Sequence, residues 1–157
     1  MVQRLRPVGL DFVGTAPVRL VFTQDMAATP DAVFHALAED LSGWPEWFSA
    51  VASIRPTEGG REVRLRSGTR ATESVLAARA PELYAYRVDT IDVPGARAWI
   101  EEWRLAPAGA GTRLRMTFAL DGTALFRAVC RLSRPGVGRA VREAVRALDG
   151  RLERRPV

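Results

Sequence analysis

The 157-residue chain has no lysine and only one cysteine and one histidine. With a single cysteine, Cys130, neither an intramolecular disulfide nor a cysteine-based zinc site can form. Glycine-rich phosphate loops and a nucleophile elbow are also absent, so we predict no cofactor and no metal. No apolar run approaches the roughly 18 residues of a membrane span, and residues 1–7 lack the apolar stretch of a signal peptide. We therefore expect a cytoplasmic protein without a transmembrane segment.

The sequence does have the composition of one globular domain, with 47% hydrophobic and 26% charged residues. Residues 1–16 mix arginine, proline and glycine without periodicity, and we interpret them as an N-terminal arm. Residues 17–153 contain no linker long enough to mark a domain boundary. We therefore assign residues 17–153 to a single domain.

Positive charge is concentrated near the C-terminus. All 23 basic residues are arginine, against 18 acids, which gives a formal net charge of +5. Residues 121–157 contain nine arginines and four acids, so this segment carries the whole surplus. Such a layout is typical of a surface for an acidic protein or an anionic membrane, or of a solvated helix face in an arginine-rich protein. Nucleic acid is not an expected partner, because no recognised motif is present and only Phe126 lies among these arginines.

Hydrophobic periodicity predicts the order of the helices and strands. A β-rich run predicts a first strand at 18–23, and Thr29, Pro30 and Asp31 are typical of a helix start. A second short helix is predicted over 41–48. Six further strands separated by turn residues predict an antiparallel meander over 52–56, 62–67, 69–78, 83–91, 97–106 and 112–120.

Alternation along the last three strands separates an apolar inner face from a charged outer one. The inner face carries six aromatic or methionine side chains, namely Tyr84, Tyr86, Trp99, Trp103, Met116 and Phe118. It also receives Glu101, unless a one-residue slip turns that side chain outward and brings Glu102 inside. The strand over 69–78 offers Glu73 to the same face. The outer face, which includes Ile100 and Arg104 and takes most of the arginines, is expected to be charged and hydrated.

Helical periodicity returns after residue 121 in two stripes. The longer stripe is slim and includes Val137, Val141 and Val145. The other stripe consists of Leu125, Val129 and Leu132. Because one straight helix cannot bury both stripes against one surface, the chain is predicted to break near 133–136. Ser133 is a candidate cap for the long helix that follows over 135–153.

Four segments of the chain resemble the START-like SRPBCC superfamily, and specifically its polyketide cyclase/dehydrase-like branch. They are ATPDAVF at 28–34, WPEWF at 44–48, EWRL at 102–105 and GTRL at 111–114. The resemblance covers roughly residues 17–153. It implies an α+β helix-grip fold, in which a curved seven-stranded antiparallel sheet wraps around the long C-terminal helix, with two short helices after the first strand. It also implies a cavity between the sheet and the helix.

The residues themselves leave open whether the bulky inner face packs tightly against the slim helix as a core or encloses a pocket with it. A pocket would be lined by Tyr84, Tyr86, Trp99, Trp103, Met116, Phe118, Val137, Val141 and Val145. A carboxylate in such a pocket has a raised pKa, so Glu101, and more weakly Glu73, are the candidate acid–base residues. Either carboxylate could instead be a structural residue paired with an arginine.

Three functions remain open at this point. The first hypothesis is a protein that binds a small hydrophobic or amphipathic molecule such as a lipid, a polyketide or an isoprenoid-like compound. The second is a polyketide cyclase, aromatase or dehydratase, which the resemblance implies and which would meet an acidic acyl carrier protein. The third is an interaction module that docks an acidic partner through the arginine-rich C-terminal helix. A monomer and a homodimer are both compatible with the sequence.

Overall fold

The computed structural model describes residues 2–154, which form one antiparallel sheet and five helices. The strands are β1 (Gln3–Arg4), β2 (Val18–Met26), β3 (Val51–Thr57), β4 (Gly60–Leu65), β5 (Arg70–Arg79), β6 (Leu83–Ile91), β7 (Ala96–Ala108) and β8 (Gly111–Gly122). The helices are α1 (Phe12–Thr15), α2 (Pro30–Phe34), α3 (Trp44–Trp47), α4 (Ala124–Leu132) and α5 (Arg134–Arg154). The strand order is β2-β8-β7-β6-β5-β4-β3, and β1 pairs with β6. The seven predicted strands are confirmed, and β1 is an addition to them.

The two predicted short helices after the first strand are present. Thr29 caps α2 by accepting a hydrogen bond from the backbone N–H of Ala32 at 3.3 Å, and Pro30 occupies the first turn. The helix continues as a π-helical turn, and a 3₁₀ turn leads into α3. This segment buries Trp44 and Trp47 against the inner face of the sheet. Its packing closes one end of the space between sheet and C-terminal helix.

The predicted break between the two C-terminal helices is confirmed at residue 133. The role expected of Ser133 is wrong, because its hydroxyl donates a hydrogen bond to the carbonyl of Cys130 at 2.7 Å and so completes the end of α4. Helix α5 packs Val141, Val145 and Leu148 onto the sheet as the slim stripe predicted. No helix within residues 2–154 is both long and apolar enough to cross a bilayer.

The outer face of the central strands is less hydrated than expected. Ile100 is fully buried, and Glu102 is 4% exposed and paired with the Nε of Arg104 at 3.0 Å. Helix α1 explains the burial of Ile100, because Phe12 and Val13 pack on this side of β7 and β8. The segment that forms α1 lacks periodicity, so its packing gave no signal in the sequence.

Two charged side chains join the C-terminal part of α5 to the rest of the fold. The carboxylate of Asp149 accepts hydrogen bonds from the backbone N–H groups of Ala27 and Ala28, both at 2.9 Å. Arg151 forms an ion pair with Glu46 of α3. These contacts fix the helix over the concave side of the sheet, where the cavity lies.

Candidate functional site

A cavity of about 320 Å³ lies between the inner face of the sheet and the N-terminal half of α5. Its wall is mostly apolar. The rim includes Ala50, which is exposed, and Val93 and Val137, which are half-buried. The deepest side chains, among them Arg61, Glu73 and Tyr86, are buried. The cavity therefore has an apolar rim and a polar floor, as is usual for a site that binds a small amphipathic molecule.

Arg61 and Glu73 form a buried ion pair in this floor. They are Cα partners on β4 and β5, and the Nε of Arg61 donates to Oε1 of Glu73 at 2.6 Å. The side chains are only 3% and 6% exposed. The Nη1 of Arg61 also donates to the hydroxyl of Tyr84 at 3.4 Å.

Aromatic rings and a glycine hold Arg61 in place. Its guanidinium carbon lies 3.9 Å from the ring centroid of Tyr86 and 4.7 Å from that of Trp44, which are cation–π distances. Directly before Arg61, a Cβ at Gly60 would approach the backbone oxygen of Glu73 to 1.9 Å. A side chain at this position would therefore push β4 away from β5 at the ion pair.

Glu101 is the second carboxylate of the cavity. It accepts hydrogen bonds from the hydroxyl of Tyr86 at 2.6 Å and from the indole N–H of Trp99 at 3.0 Å. The indole N–H of Trp103 in turn donates to the hydroxyl of Tyr86 at 3.1 Å. Tyr86 thus contacts both charged groups of the floor: its hydroxyl binds Glu101 and its ring packs against the guanidinium of Arg61.

Burial raises the pKa of both carboxylates. Desolvation raises the pKa of Glu73 to about 7, because it outweighs the opposing effect of Arg61 and is reinforced by the charge of Glu101. Desolvation also raises the pKa of Glu101, against the hydrogen bond from Tyr86 and the charge of Arg61. Burial, followed by the charge of Glu101, raises the pKa of Tyr86 well above its ordinary value, so its phenol remains protonated. The floor therefore holds one permanent cation, one carboxyl group (Glu73) that exchanges its proton near neutral pH, and a second (Glu101) whose pKa is raised in the same direction.

The cavity contains seven of the eleven residues named from the sequence. Those that line it are Glu73, Tyr86, Trp99, Glu101, Phe118, Val137 and Val141. The other four pack in the core beside it, namely Tyr84, Trp103, Met116 and Val145. Trp103 has its ring against those of Trp44 and Trp47, at centroid distances of 5.7 and 6.4 Å. Ligand contact and acid–base roles for the lining residues stay predictions.

Arg61 is the main residue that sequence reasoning missed, because most arginines are expected on the outer face and Arg61 is buried on the inner one. The strand is predicted to begin at residue 62, so Arg61 falls just outside it. Extending the alternation of Val63 and Leu65 backward by two residues places Arg61 on the inner face. The remaining unpredicted wall residues come from β3 to β6 and the loops beside them, from α3 and Phe48 directly after it, and from α5. Within the described part of the chain, no three His, Cys, Asp or Glu residues form a group that could hold a metal ion.

The curved sheet, the helix held against it and the cavity between them define a START-like helix-grip protein. A family model described as polyketide cyclase/dehydrase and lipid transport matches residues 17–154. Because this match covers most of the chain, the protein belongs to that family.

Similar proteins agree with this assignment. An uncharacterized protein of Mycobacterium tuberculosis is 29% identical over 148 residues, which cover 90% of this chain and 88% of the relative. The solved structure of a START superfamily protein from Mycobacterium smegmatis matches with a TM-score of 0.68 at 14% identity, over 87% of this chain and 97% of that one. The Zhui aromatase/cyclase from a Streptomyces species matches with a TM-score of 0.68 at 22% identity, over 88% of this chain and 94% of that one. At these identities the two structures support the fold.

Proposed function

We propose that the protein binds a small, mostly apolar molecule that carries an oxygen-rich end, such as a polyketide, a lipid or an isoprenoid-like compound. The observation that carries this proposal is the buried guanidinium of Arg61 at the bottom of an apolar cavity. Within residues 2–154 its hydrogen bonds use Nε and Nη1, which leaves Nη2 for a ligand oxygen. A carbonyl, enolate or carboxylate would bind there while the apolar body fills the wall.

A fluorescent probe with the same chemistry tests this proposal. Anilinonaphthalenesulfonate combines apolar rings with an anionic group, and we expect its fluorescence to rise on binding to the cavity. Arg61→Met removes the cation and should weaken binding about tenfold, which corresponds to one charge-assisted hydrogen bond. Arg55→Met is the matched control, because Arg55 lies on the neighbouring strand with its side chain 77% exposed. Equal affinities of the two variants would contradict the proposal.

Native mass spectrometry of the freshly purified protein gives an independent test. An additional mass that disappears on denaturation would identify the formula of the bound molecule. An apo mass that does not change on soaking with a mixture of lipids and polyphenols would contradict ligand binding.

Acid–base catalysis is the second candidate function, and the raised pKa values of Glu73 and Glu101 favour it. In a cyclase or dehydratase reaction, one ionised carboxylate would take a proton from a carbon between two carbonyl groups. A protonated carboxyl group would return a proton to the hydroxyl that leaves as water. Tyr86, which donates its hydroxyl hydrogen to Glu101, would hold that carboxyl group in place, and the Nη2 of Arg61 would orient the carbonyl oxygen.

Glu101→Gln separates the two candidates. A binding protein should keep most of its affinity for anilinonaphthalenesulfonate, because the amide still accepts a hydrogen bond from Tyr86. An enzyme should lose turnover of a short poly-β-ketone thioester by about 100-fold or more, as for loss of a general acid or base. Glu102→Gln, on the opposite face of the same strand, is the control. Retained turnover in Glu101→Gln would exclude Glu101 as the proton-transfer group.

If the protein is an enzyme of this kind, its substrate would arrive on an acidic acyl carrier protein. Exposed arginines in the middle of α5, namely Arg139, Arg142 and Arg146, would then receive the carrier. Such binding should weaken steeply as salt concentration rises, whereas salt-independent binding would assign the contact to another surface.

A further inference from the structure

Helix α4 presents an apolar stripe that is exposed among the residues the structure describes, 2–154. Leu125, Val129 and Leu132 follow one another at helical spacing and are 75%, 55% and 81% exposed. About a quarter turn around the helix from this stripe, Phe126 is buried against the sheet. Three large aliphatic side chains exposed in one row are unusual in a monomeric protein surface and mark an interaction site.

The sequence that contains this stripe carries charge of a single sign. Residues 122–142 contain five arginines and no acidic residue. Near the middle of this region, Arg131 and Arg134 donate hydrogen bonds to the carbonyls of Pro17, directly before β2, and of Val21 in β2, at 3.1 and 3.2 Å. The stripe is therefore a fixed apolar ridge within a positive surface, suited to an anionic partner.

The ridge also lies beside the rim of the cavity. At its N-terminal end, the backbone N–H of Thr123 donates to the carbonyl of Gly95 at 2.9 Å, in the β6–β7 connection that also contains the rim residue Val93. At its C-terminal end, α4 leads within five residues to Val137, another rim residue. A surface that covers the ridge would therefore meet the rim of the cavity.

We infer that α4 docks the protein on an anionic phospholipid surface, with Leu125, Val129 and Leu132 inserted among the lipids and the arginines at the headgroups. A second copy fits less well, because a symmetric contact would place arginine against arginine. A bilayer accepts a protruding aliphatic ridge without needing a complementary groove. Docking would bring the rim to the membrane, from which an apolar ligand could enter.

Vesicle sedimentation of the full chain tests this inference. We expect binding to phosphatidylcholine vesicles that contain roughly one third phosphatidylglycerol, and at least tenfold weaker binding to phosphatidylcholine alone. The triple variant L125S/V129S/L132S should lose at least tenfold in affinity for the anionic vesicles. Because these side chains are exposed, its thermal unfolding should remain that of the parent. The control V2S/V75S removes apolar side chains that are 56% and 37% exposed elsewhere.

Three results would overturn the inference. The first is wild-type vesicle binding by the triple variant. The second is absence of binding to anionic vesicles. The third combines absence of vesicle binding with a protein complex of the wild type that the triple substitution abolishes. The complex could be a dimer or one with an acidic acyl carrier protein. This result would assign the ridge to a protein partner. The vesicle experiment uses no ligand, so its failure would leave the proposed ligand binding in the cavity unaffected. Failure of the fluorescent-probe experiment would likewise leave the proposed membrane docking unaffected.

Discussion

Replacement of Arg61 by methionine should destabilise the protein by an amount that grows with pH. The substitution removes the cation that faces Glu73 at 2.6 Å and leaves the carboxyl group buried among apolar side chains. Glu73 already has a folded-state pKa of about 7, above the ordinary value of 4.5, and Arg61 is the largest influence that lowers it. Without Arg61, the folded-state pKa of Glu73 must rise further.

The magnitude follows from proton linkage. In the wild-type protein the raised pKa of Glu73 reduces stability progressively as pH rises from 4.5 to 7, and the effect then levels off as Glu73 ionises in the folded state. In Arg61→Met, Glu73 keeps its proton above pH 7 while the unfolded chain has lost it, so stability continues to fall by about 1.4 kcal/mol per pH unit. Lost contacts with Tyr84 and the aromatic rings add about 1–2 kcal/mol at every pH. The total cost is about 1–2 kcal/mol at pH 6 and about 4 kcal/mol at pH 9.

Urea unfolding at several pH values, followed by the fluorescence of the four tryptophans, measures this difference. The double variant R61M/E73Q has no titrating group in the pair, so it should lack the additional pH dependence. Arg55→Met breaks an exposed pair with Glu62 and should cost less than about 1 kcal/mol without a comparable trend. A cost of Arg61→Met that is the same at pH 6 and pH 9 would refute the reasoning, because Glu73 would then not be the group that responds.

Two further substitutions test how the site is supported. Gly60→Ala should weaken probe binding and lower stability by about 1–3 kcal/mol, because its Cβ would meet the backbone oxygen of Glu73. Gly59→Ala is the control, because its φ of +75° strains any side chain but no atom lies close to its Cβ. This variant should lose stability and keep its affinity for the probe. Asp149→Ala should cost about 1–3 kcal/mol in urea unfolding, since two charge-assisted hydrogen bonds to Ala27 and Ala28 are lost. Unchanged stability of Asp149→Ala would mean that other contacts fix the end of α5.

Local patterns predicted the elements of the fold because each pattern is contained in a short stretch of sequence. Alternation placed Tyr86 and Glu101 on the inner face, and two rotated stripes predicted the break at residue 133. Thr29 capped its helix as the order of residues indicated. These features depend on backbone geometry within a few residues, which one sequence reports well.

The division between core and cavity depends on distances between elements, and so the sequence could not predict it. Trp103 and Met116 have the same pattern as the lining residues, yet the short-helix segment and α5 pack against them. Predicting the Arg61–Glu73 pair would have required the register of β4 against β5, which joins residues twelve positions apart in the chain. Burial of Ile100 required α1, which forms in a segment without periodicity.

The Arg61–Glu73 pair is costly for a fold of this size, and this cost itself argues for a function. Replacing a buried ion pair by apolar side chains of similar volume is often neutral or stabilising, by about 1–4 kcal/mol. We therefore expect R61M/E73L to be as stable as the wild-type protein or more so in urea unfolding. If Arg61 recognises the ligand, the same variant should bind anilinonaphthalenesulfonate about tenfold more weakly. Stability and affinity would then change in opposite directions, as expected when a polar group is retained for binding. A variant that loses stability and keeps its affinity would reverse this conclusion and make the pair a structural element of the sheet.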